Sequence, residues 1–392
     1  MTKNLTLYFP AIPHTITSNE YSHCAFTGKV LRFSTMMKSL GYEVYHYGVE
    51  TSKSDATKQI DLLTKEEWNK FRKISMKYLN PSITDDEIDK TLLDNKKFIG
   101  NLGNVSTPLY TEFNRRLNIE IKKYYRSKST DIICLPFGIA HEPAIKNLDV
   151  VSVESGIGYE GSYKSFRIFE SYAILHNTMT KEKKEYQYYW FVVPNYYNIL
   201  EWPLNLNPDN NKVGYFGRLC EIKGCNIVVE IAKLFPNINF ILCGQGNPDS
   251  YLVLPNIHYK TPIHGEERGD FLGSLLMLIA PSLYIEPFCG VNVEAQLCGT
   301  PILSNEFGAF VETVEQFKTG LLCHTLKDYC HGIQMAIDGK FDRKYIRERA
   351  VKLYDMYNVA HEYKYVFDTI LDVHNGNNGW YSNNNHIELL EL

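Results

Sequence analysis

The strongest constraint in this chain is a rhythm that runs twice. Short apolar strands alternate with helical stretches up to about residue 200, pause at the run PLNLNPDNNK (203–212), and then start again. Alternation of this kind builds parallel sheets covered by helices. The pause has no apolar periodicity and reads as a linker. In the first half, NLTLYF (4–9) and EVYHY (43–47) read as strands around a helix near Lys29–Ser39. Residues 52–98 are charged and read as an inserted helical pair outside the core sheet, with capping boxes Thr64/Glu67 and Thr84/Glu87 separated by Pro81. A helix at 109–125 and strands at 131–136 and 149–153 follow. In the second half, strands at 212–216, 238–243, 275–280 and 301–304 alternate with helices at 224–235, 291–298, 310–317 and 325–338, and one last helix covers 343–372. The expectation is an α/β chain of two successive parallel-sheet domains facing a cleft, 1–203 and 204–372, with a polar tail at 373–392. Open parallel sheets gather ligands at the carboxyl ends of their strands, which here means the loops 216–223, 243–248 and 281–291.

Composition narrows the function. With 41 Lys+Arg against 45 Asp+Glu, the net charge of −4 supplies no general basic face, so nucleic acid is not an expected partner. The most apolar stretch, Phe271–Ile285, is broken by Gly273, Ser274, Pro281 and Ser282. No transmembrane segment is expected, although peripheral membrane contact stays open. The first residues show no signal core. The nine cysteines are scattered and form no framework, as for reduced thiols in a cytoplasmic protein. Cys323-His324 and Cys330-His331 match no common zinc spacing, and no metal site is expected.

Three segments concentrate chemistry. PSLYIEPFCGVNVEAQLCGTP (281–301) places Glu286 before a small-residue turn and Glu294 about one turn into the following helix. A turn of this kind offers free backbone N–H groups to a phosphate, while the two carboxylates can accept from sugar and ribose hydroxyls. The bland alternative is a solvent-facing Glu294 and a helix-capping Glu286. VGYFGRLCEIKG (213–224) puts Arg218 and Lys223 on one strand-end loop, either a diphosphate clamp or a solvated basic loop. FILCGQG (240–246) ends a strand in Gly244-x-Gly246, where backbone can approach a nucleotide closely or simply turn.

The order of these segments resembles the family 4 glycosyltransferases of the two-Rossmann, B-type fold. GRLCEIKG, the strand ending in Gly-x-Gly, PSLYIEPFCGVNVEAQLCGTP, and NEFGAFVETV (305–314, with Gly308 and Glu312) follow the family's C-terminal motifs, and FVVPNYYNILEWP (191–203) resembles the segment leading into that domain. The resemblance is strong from about 190 to 325. It implies that Arg218 and Lys223 bind the diphosphate of a UDP-, GDP- or ADP-sugar, that Glu294 binds the ribose, and that Glu286 meets the donor sugar or nearby backbone. Backbone amides from Phe288 through Cys289 and Gly290 to Val291 would complete the site, with Gly244 and Gly246 beside the nucleotide. Cys289 stands where the family usually has glycine. That is compatible with binding if φ there is negative and strained if it is positive.

The N-terminal half matches less well, since PAIPHTITSNEYSHCAFTGKV (10–30) replaces a double-glycine turn. His14, His23 and Lys29 are acceptor-side candidates, and Glu154 and His141 are candidates near the reacting sugar; the alternative for each is an ordinary polar loop residue. The resemblance implies a retaining glycosyltransferase that moves a sugar to a hydroxyl on a glycan, lipid-linked or protein acceptor. It needs no obligatory cofactor or metal, because the cations stabilise the leaving diphosphate. Two other readings stay open: an inactive sugar-nucleotide-binding module, and another sugar-nucleotide enzyme of the same fold such as an epimerase.

Overall fold

The computed structural model describes residues 5–21, 24–93, 99–187 and 189–375. The chain divides into two compact units, one of 1–169, 186–193 and 360–392, the other of 170–185 and 194–359. Two segments are therefore exchanged relative to a simple split near 203: residues 170–185 join the second unit, and the last helix joins the first.

Unit 1 is built on strands β1 (Thr6–Pro10), β2 (Glu43–Val49), β3 (Lys58–Leu63), β4 (Asp131–Leu135), β5 (Ser152–Ile157), β6 (Phe166–Phe169) and β7 (Trp190–Val192). They form one parallel sheet in the order β3-β2-β1-β4-β5-β6-β7. Every residue of β1, β4 and β5 is buried, as expected for strands covered on both faces. On one face Tyr8, Tyr47 and Ile133 pack with Trp68 of helix Lys65–Leu79 and with Phe113 and Leu117 of helix Pro108–Tyr124. On the other, Phe9 stacks on Phe33 of helix Ala25–Lys38 with ring centroids 3.9 Å apart, and Phe33 meets Tyr363 of helix Met356–Asn375 edge-on.

Residues 52–98 correct an expectation. Lys58–Leu63 is an edge strand of the core sheet, and only the helices Lys65–Leu79 and Asp85–Leu93 answer to the expected helical pair. Both capping boxes form, with Glu67 N–H donating to Thr64 Oγ1 and Glu87 N–H to Thr84 Oγ1. The short strands β6 and β7 had no clear alternation to reveal them.

Unit 2 carries β8 (Asp209–Phe216), β9 (Asn239–Cys243), β10 (Ile257–Lys260), β11 (Leu275–Ala280), β12 (Ile302–Asn305) and β13 (Gly320–Cys323), again parallel, in the order β10-β9-β8-β11-β12-β13. The order reverses between β8 and β11, and the loops after these two strands carry the candidate motifs. The run 203–212 is not a free linker. β8 begins at Asp209, Asn205 N–H donates to Cys298 O, and Arg343 donates to the carbonyls of Asn205, Leu275 and Gly273. The expected last helix is two, Arg343–Tyr354 and Met356–Asn375, broken at Asp355. Of the expected tail, residues 376–392 lie outside the described residues, as does His23.

Candidate active site

Beyond β8 the chain runs beside the turn that follows β9. Gly217 N–H donates to Cys243 O at 3.0 Å and Leu219 N–H to Gln245 O at 2.8 Å. Glycine makes this approach possible: a Cβ on Gly244 would stand 1.7 Å from the Gly217 carbonyl oxygen, and one on Gly246 would stand 2.7 Å from that of Leu219. The Gly-x-Gly turn thus serves first to let two loops close on each other. Their contact holds Arg218 at the loop surface, where Tyr215 donates to its carbonyl at 2.6 Å. The Arg218 side chain is exposed and makes no ion pair among the described residues.

Lys223 sits differently. Its Nζ donates to Glu286 Oε1 at 2.6 Å and to the Tyr284 hydroxyl at 2.7 Å. Tyr284 donates to Glu286 Oε2 at 2.7 Å, and Ser282 to Oε1 at 2.6 Å. Burial alone would lower the Lys223 pKa, but the facing Glu286 carboxylate outweighs it and the net shift is upward, so the ammonium stays charged. The Tyr284 hydroxyl, buried beside the same carboxylate, is pushed up to about 12. Glu286 is therefore a buried acceptor for three side chains. The loop that bears it is tied to the NEFGA segment, because Ala309 N–H donates to Glu286 O at 3.1 Å and Asn305 Nδ2 to Ser282 O at 2.8 Å. Glu312 accepts from the N–H groups of Tyr172 and Ala173, capping the helix Tyr172–Glu182.

The helix Gly290–Leu297 starts from Cys289, whose φ is +63°. The condition for an unstrained cysteine is not met, since a left-handed residue with a Cβ is strained by about 1–2 kcal/mol. Burial, with Glu286 nearby, raises the thiol pKa well above its ordinary value, so the sulfur is a poor nucleophile. The Phe288 side chain packs edge-on against Tyr354 in the core, leaving its backbone for the site. Val291 and Gly290 open the helix, and first-turn N–H groups lack intrahelical acceptors.

Glu294 is neither solvent-facing nor free. Its carboxylate is paired with Arg268 of helix Glu266–Ser274, whose guanidinium lies 4.6 Å from the centre of the Phe216 ring. Arg268, Tyr284 and Ser282 were not singled out from the sequence. Tyr284 and Ser282 lie two and four residues before Glu286, but Arg268 had no motif and becomes visible only when its helix packs against the one bearing Glu294.

The unit 1 candidates are committed to the fold. Glu154 is fully buried and accepts from the N–H groups of Tyr163 and Lys164, both at 2.9 Å, with Arg167 3.8 Å away. Burial raises its pKa despite these donors. His141 is also fully buried; its Nδ1 meets Asn114 Oδ1 at 3.2 Å, and burial lowers its pKa to about 3. Lys29 is buried and donates to Gly156 O at 2.8 Å. His14 shares a 2.8 Å hydrogen bond with Tyr110, and its pKa falls to about 4 through burial and the nearby Arg72. The first three are spent on structure and are not presented as open loop groups; a lone residue's place along a sequence does not show how far its strand end is covered. Among the described residues no group of three or more His, Cys, Asp or Glu side chains is placed to hold a metal ion. Nor is any helix there long and apolar enough to cross a membrane.

Residues 198–353 match the family model described as glycosyl transferases group 1. Curated relatives include the alpha-maltose-1-phosphate synthase of Mycolicibacterium smegmatis, 27% identical over 128 residues (29% of this chain, 33% of that one). The D-inositol 3-phosphate glycosyltransferase of Mycobacterium sp. (strain KMS) is 27% identical over 145 residues, 33% of each chain. The matches thus span about a third of the length of these relatives. Among solved structures, the glycosyltransferase AviGT4 aligns over 94% of this chain and 98% of its own, with TM-score 0.62 and 15% identity. Sucrose-phosphate synthase from Thermosynechococcus elongatus gives TM-score 0.65 at 14% identity, covering 94% and 100%. HepE from Anabaena, solved with UDP and glucose, gives 0.61 at 14%, covering 93% and 100%. With two parallel-sheet units and these fold relatives together, the chain has the B-type, two-Rossmann glycosyltransferase fold, and its residues 198–353 match the glycosyl transferases group 1 family.

Proposed function

We propose that this protein is a glycosyltransferase that moves a sugar from a nucleoside-diphosphate sugar to a hydroxyl acceptor with retention of anomeric configuration. The observation that carries the reading is the cluster at the carboxyl ends of β8 and β11, where the exposed Arg218, the Lys223–Glu286 pair and the start of helix Gly290–Leu297 sit on adjacent strands. That HepE was solved with UDP and glucose supports a nucleotide donor.

In the proposed reaction the glycosidic oxygen leaves with the diphosphate, and the acceptor hydroxyl attacks the oxocarbenium-like centre from the same face, its proton passing to the departing diphosphate. Arg218 and the N–H groups of Gly290 and Val291 meet the growing negative charge on the diphosphate. Lys223, held charged by Glu286, adds to the positive potential there. Glu294, oriented by Arg268, accepts from the ribose hydroxyls. Preorganised donors of this kind act on charge that develops in the transition state. They supply positive charge without an obligatory metal. Unit 1 is assigned the acceptor, whether glycan, lipid-linked or protein. The cysteines, all nine unpaired, support a reducing, cytoplasmic setting.

The test is a thermal-shift panel of UDP, GDP and ADP, each with and without EDTA, followed by turnover of the matching sugar nucleotides with candidate acceptors. A shift for one nucleotide that EDTA leaves unchanged and Arg218→Ala abolishes supports the donor site. A response to none of them overturns it. Binding with no turnover for any acceptor selects the inactive binding module instead.

A further inference from the structure

Among the described residues three arginines are almost fully buried, and two of them are satisfied. Arg343 donates to the carbonyls of Asn205, Leu275 and Gly273 and to Thr300 Oγ1, while Arg167 donates to Lys164 O beside Glu154. Arg72, 3% exposed, has no such acceptors: its Nε and Nη1 are buried with no hydrogen-bond partner, and no carboxylate pairs with it among the described residues. A guanidinium withdrawn from water without an anion is unfavourable, and contact with an aromatic face offsets only part of that cost.

Its surroundings add positive charge. The guanidinium lies 4.1 Å from the centre of the Trp68 ring, and Lys65 Nζ lies 4.4 Å from the same centre. Trp68 is fixed by donating to Pro13 O at 2.7 Å, which ties this helix to the loop after β1. His14 of that loop and Tyr21 both feel the Arg72 charge. Glu20, the nearby carboxylate, interacts with Lys65 and Tyr21 and makes no ion pair with Arg72 among the described residues. The cluster lies where β1 and β3 end, at the carboxyl edge of the unit 1 sheet, the edge on which open parallel sheets bind ligands.

The geometry points to an anion site seated on Arg72, with Lys65 and His14 beside it, that takes a phosphate group carried by the acceptor. This rests on the assignment of unit 1 to the acceptor and narrows that acceptor to a phosphorylated molecule. Arg72 would supply charge-assisted hydrogen bonds to the phosphate oxygens, and Lys65 would draw the group in. No bond is made or broken at this site; it positions the ligand.

The experiment uses the full chain and inorganic phosphate as probe, with sulfate and acetate arms at matched ionic strength. Wild type should melt about 3–5 °C higher at roughly ten times the dissociation constant of phosphate, with a smaller shift in acetate. Arg72→Met should melt at or above the unliganded wild type, because it removes an uncompensated charge, and should lose the phosphate response. Arg72→Lys and Lys65→Gln should weaken the response and keep the decision open to measurement if the methionine variant does not fold. Arg218→Ala should keep it, which separates this site from the diphosphate loop. An undiminished response in Arg72→Met or Arg72→Lys, or loss of the response only in Arg218→Ala, overturns the proposal. A large drop in unliganded melting temperature in Arg72→Met with the phosphate shift intact does the same, since it marks a packing role only. UDP binding should be unaffected in Arg72→Met; failure of UDP to bind wild type would remove the donor reading while leaving the phosphate result to decide this one.

Discussion

Lys223 and Glu286 form a 2.6 Å ion pair with the carboxylate side chain 5% exposed, and both residues come from the two loops expected to hold the donor. The cation that a diphosphate would meet is therefore already engaged, whereas Arg218 is not. The two basic residues of GRLCEIKG have different jobs, and their variants should separate.

Lys223→Ala leaves a buried carboxylate without its partner and should destabilise unit 2 by about 3–5 kcal/mol. Arg218→Ala, at an exposed position, should change stability by no more than about 0.5 kcal/mol and lower turnover by about two to three orders of magnitude. Urea unfolding alongside single-turnover kinetics checks both. Equal stability losses would show that the pair is not the structural element described.

Cys289→Gly removes the left-handed strain at φ +63° at the loss of a small half-buried side chain. A net gain of up to about 1 kcal/mol is expected, read as a rise in melting temperature, and Cys289→Val should lower it. Nucleotide affinity should survive the glycine change, since the backbone N–H is kept.

Gly244→Ala would place a Cβ within bonding distance of the Gly217 carbonyl oxygen, so the two loops must separate. The expected cost is about 3 kcal/mol or more, with nucleotide binding lost as Arg218 moves. Gly41→Ala meets nothing within 4 Å and serves as the comparison at another positive-φ glycine. It should cost only backbone strain.

Arg268→Leu frees the Glu294 carboxylate from its partner. If Glu294 reads the ribose, the ratio of affinities for UDP and 2′-deoxy-UDP should fall about tenfold, a loss of roughly 1.4 kcal/mol of discrimination. Titration calorimetry measures it. An unchanged ratio would show that Arg268 does not orient the ribose acceptor.

His14, His46 and His141 are held at about 4, 4 and 3, chiefly by burial. Each pKa lies below the unfolded value of about 6.5, so the unfolded chain binds more protons as pH falls. Their stabilising contribution is full above about 6.5 and is lost toward pH 4, with a slope of up to about 1.4 kcal/mol per pH unit for each. Glu154, raised by burial, works in the opposite sense just above pH 4.5 and moderates the fall. Unfolding at pH 7, 6 and 5 should show a steeper decline in wild type than in His141→Gln.

The second half of the chain was largely legible because its chemistry is local. GRLCEIKG, Gly244-x-Gly246 and Glu286 to Glu294 each lie on one loop or one helix start, where strand ends and small residues leave a sequence pattern. The strand–helix alternation likewise determined two parallel sheets, since runs buried on both faces have few other uses. What the alternation did not carry was the edge strand Lys58–Leu63, whose burial alternates only partly and whose charged neighbours read as helical.

Tertiary structure decided which of those polar groups are available. Glu154 lies inside β5 rather than at its end, Lys29 lies within the helix Ala25–Lys38 and His141 precedes the short helix Glu142–Ile145; the fold closes over all three and spends their hydrogen bonds on its own backbone and side chains. Arg268 and Arg72 carry no local motif, and each gains its meaning from residues distant in sequence: Glu294 for one, and for the other the loop bearing His14, with no carboxylate paired to it among the described residues. The sequence determined the residue types and the sheets, because periodicity is a local property. Burial and pairing depend on which elements pack together, and so were decided only in three dimensions.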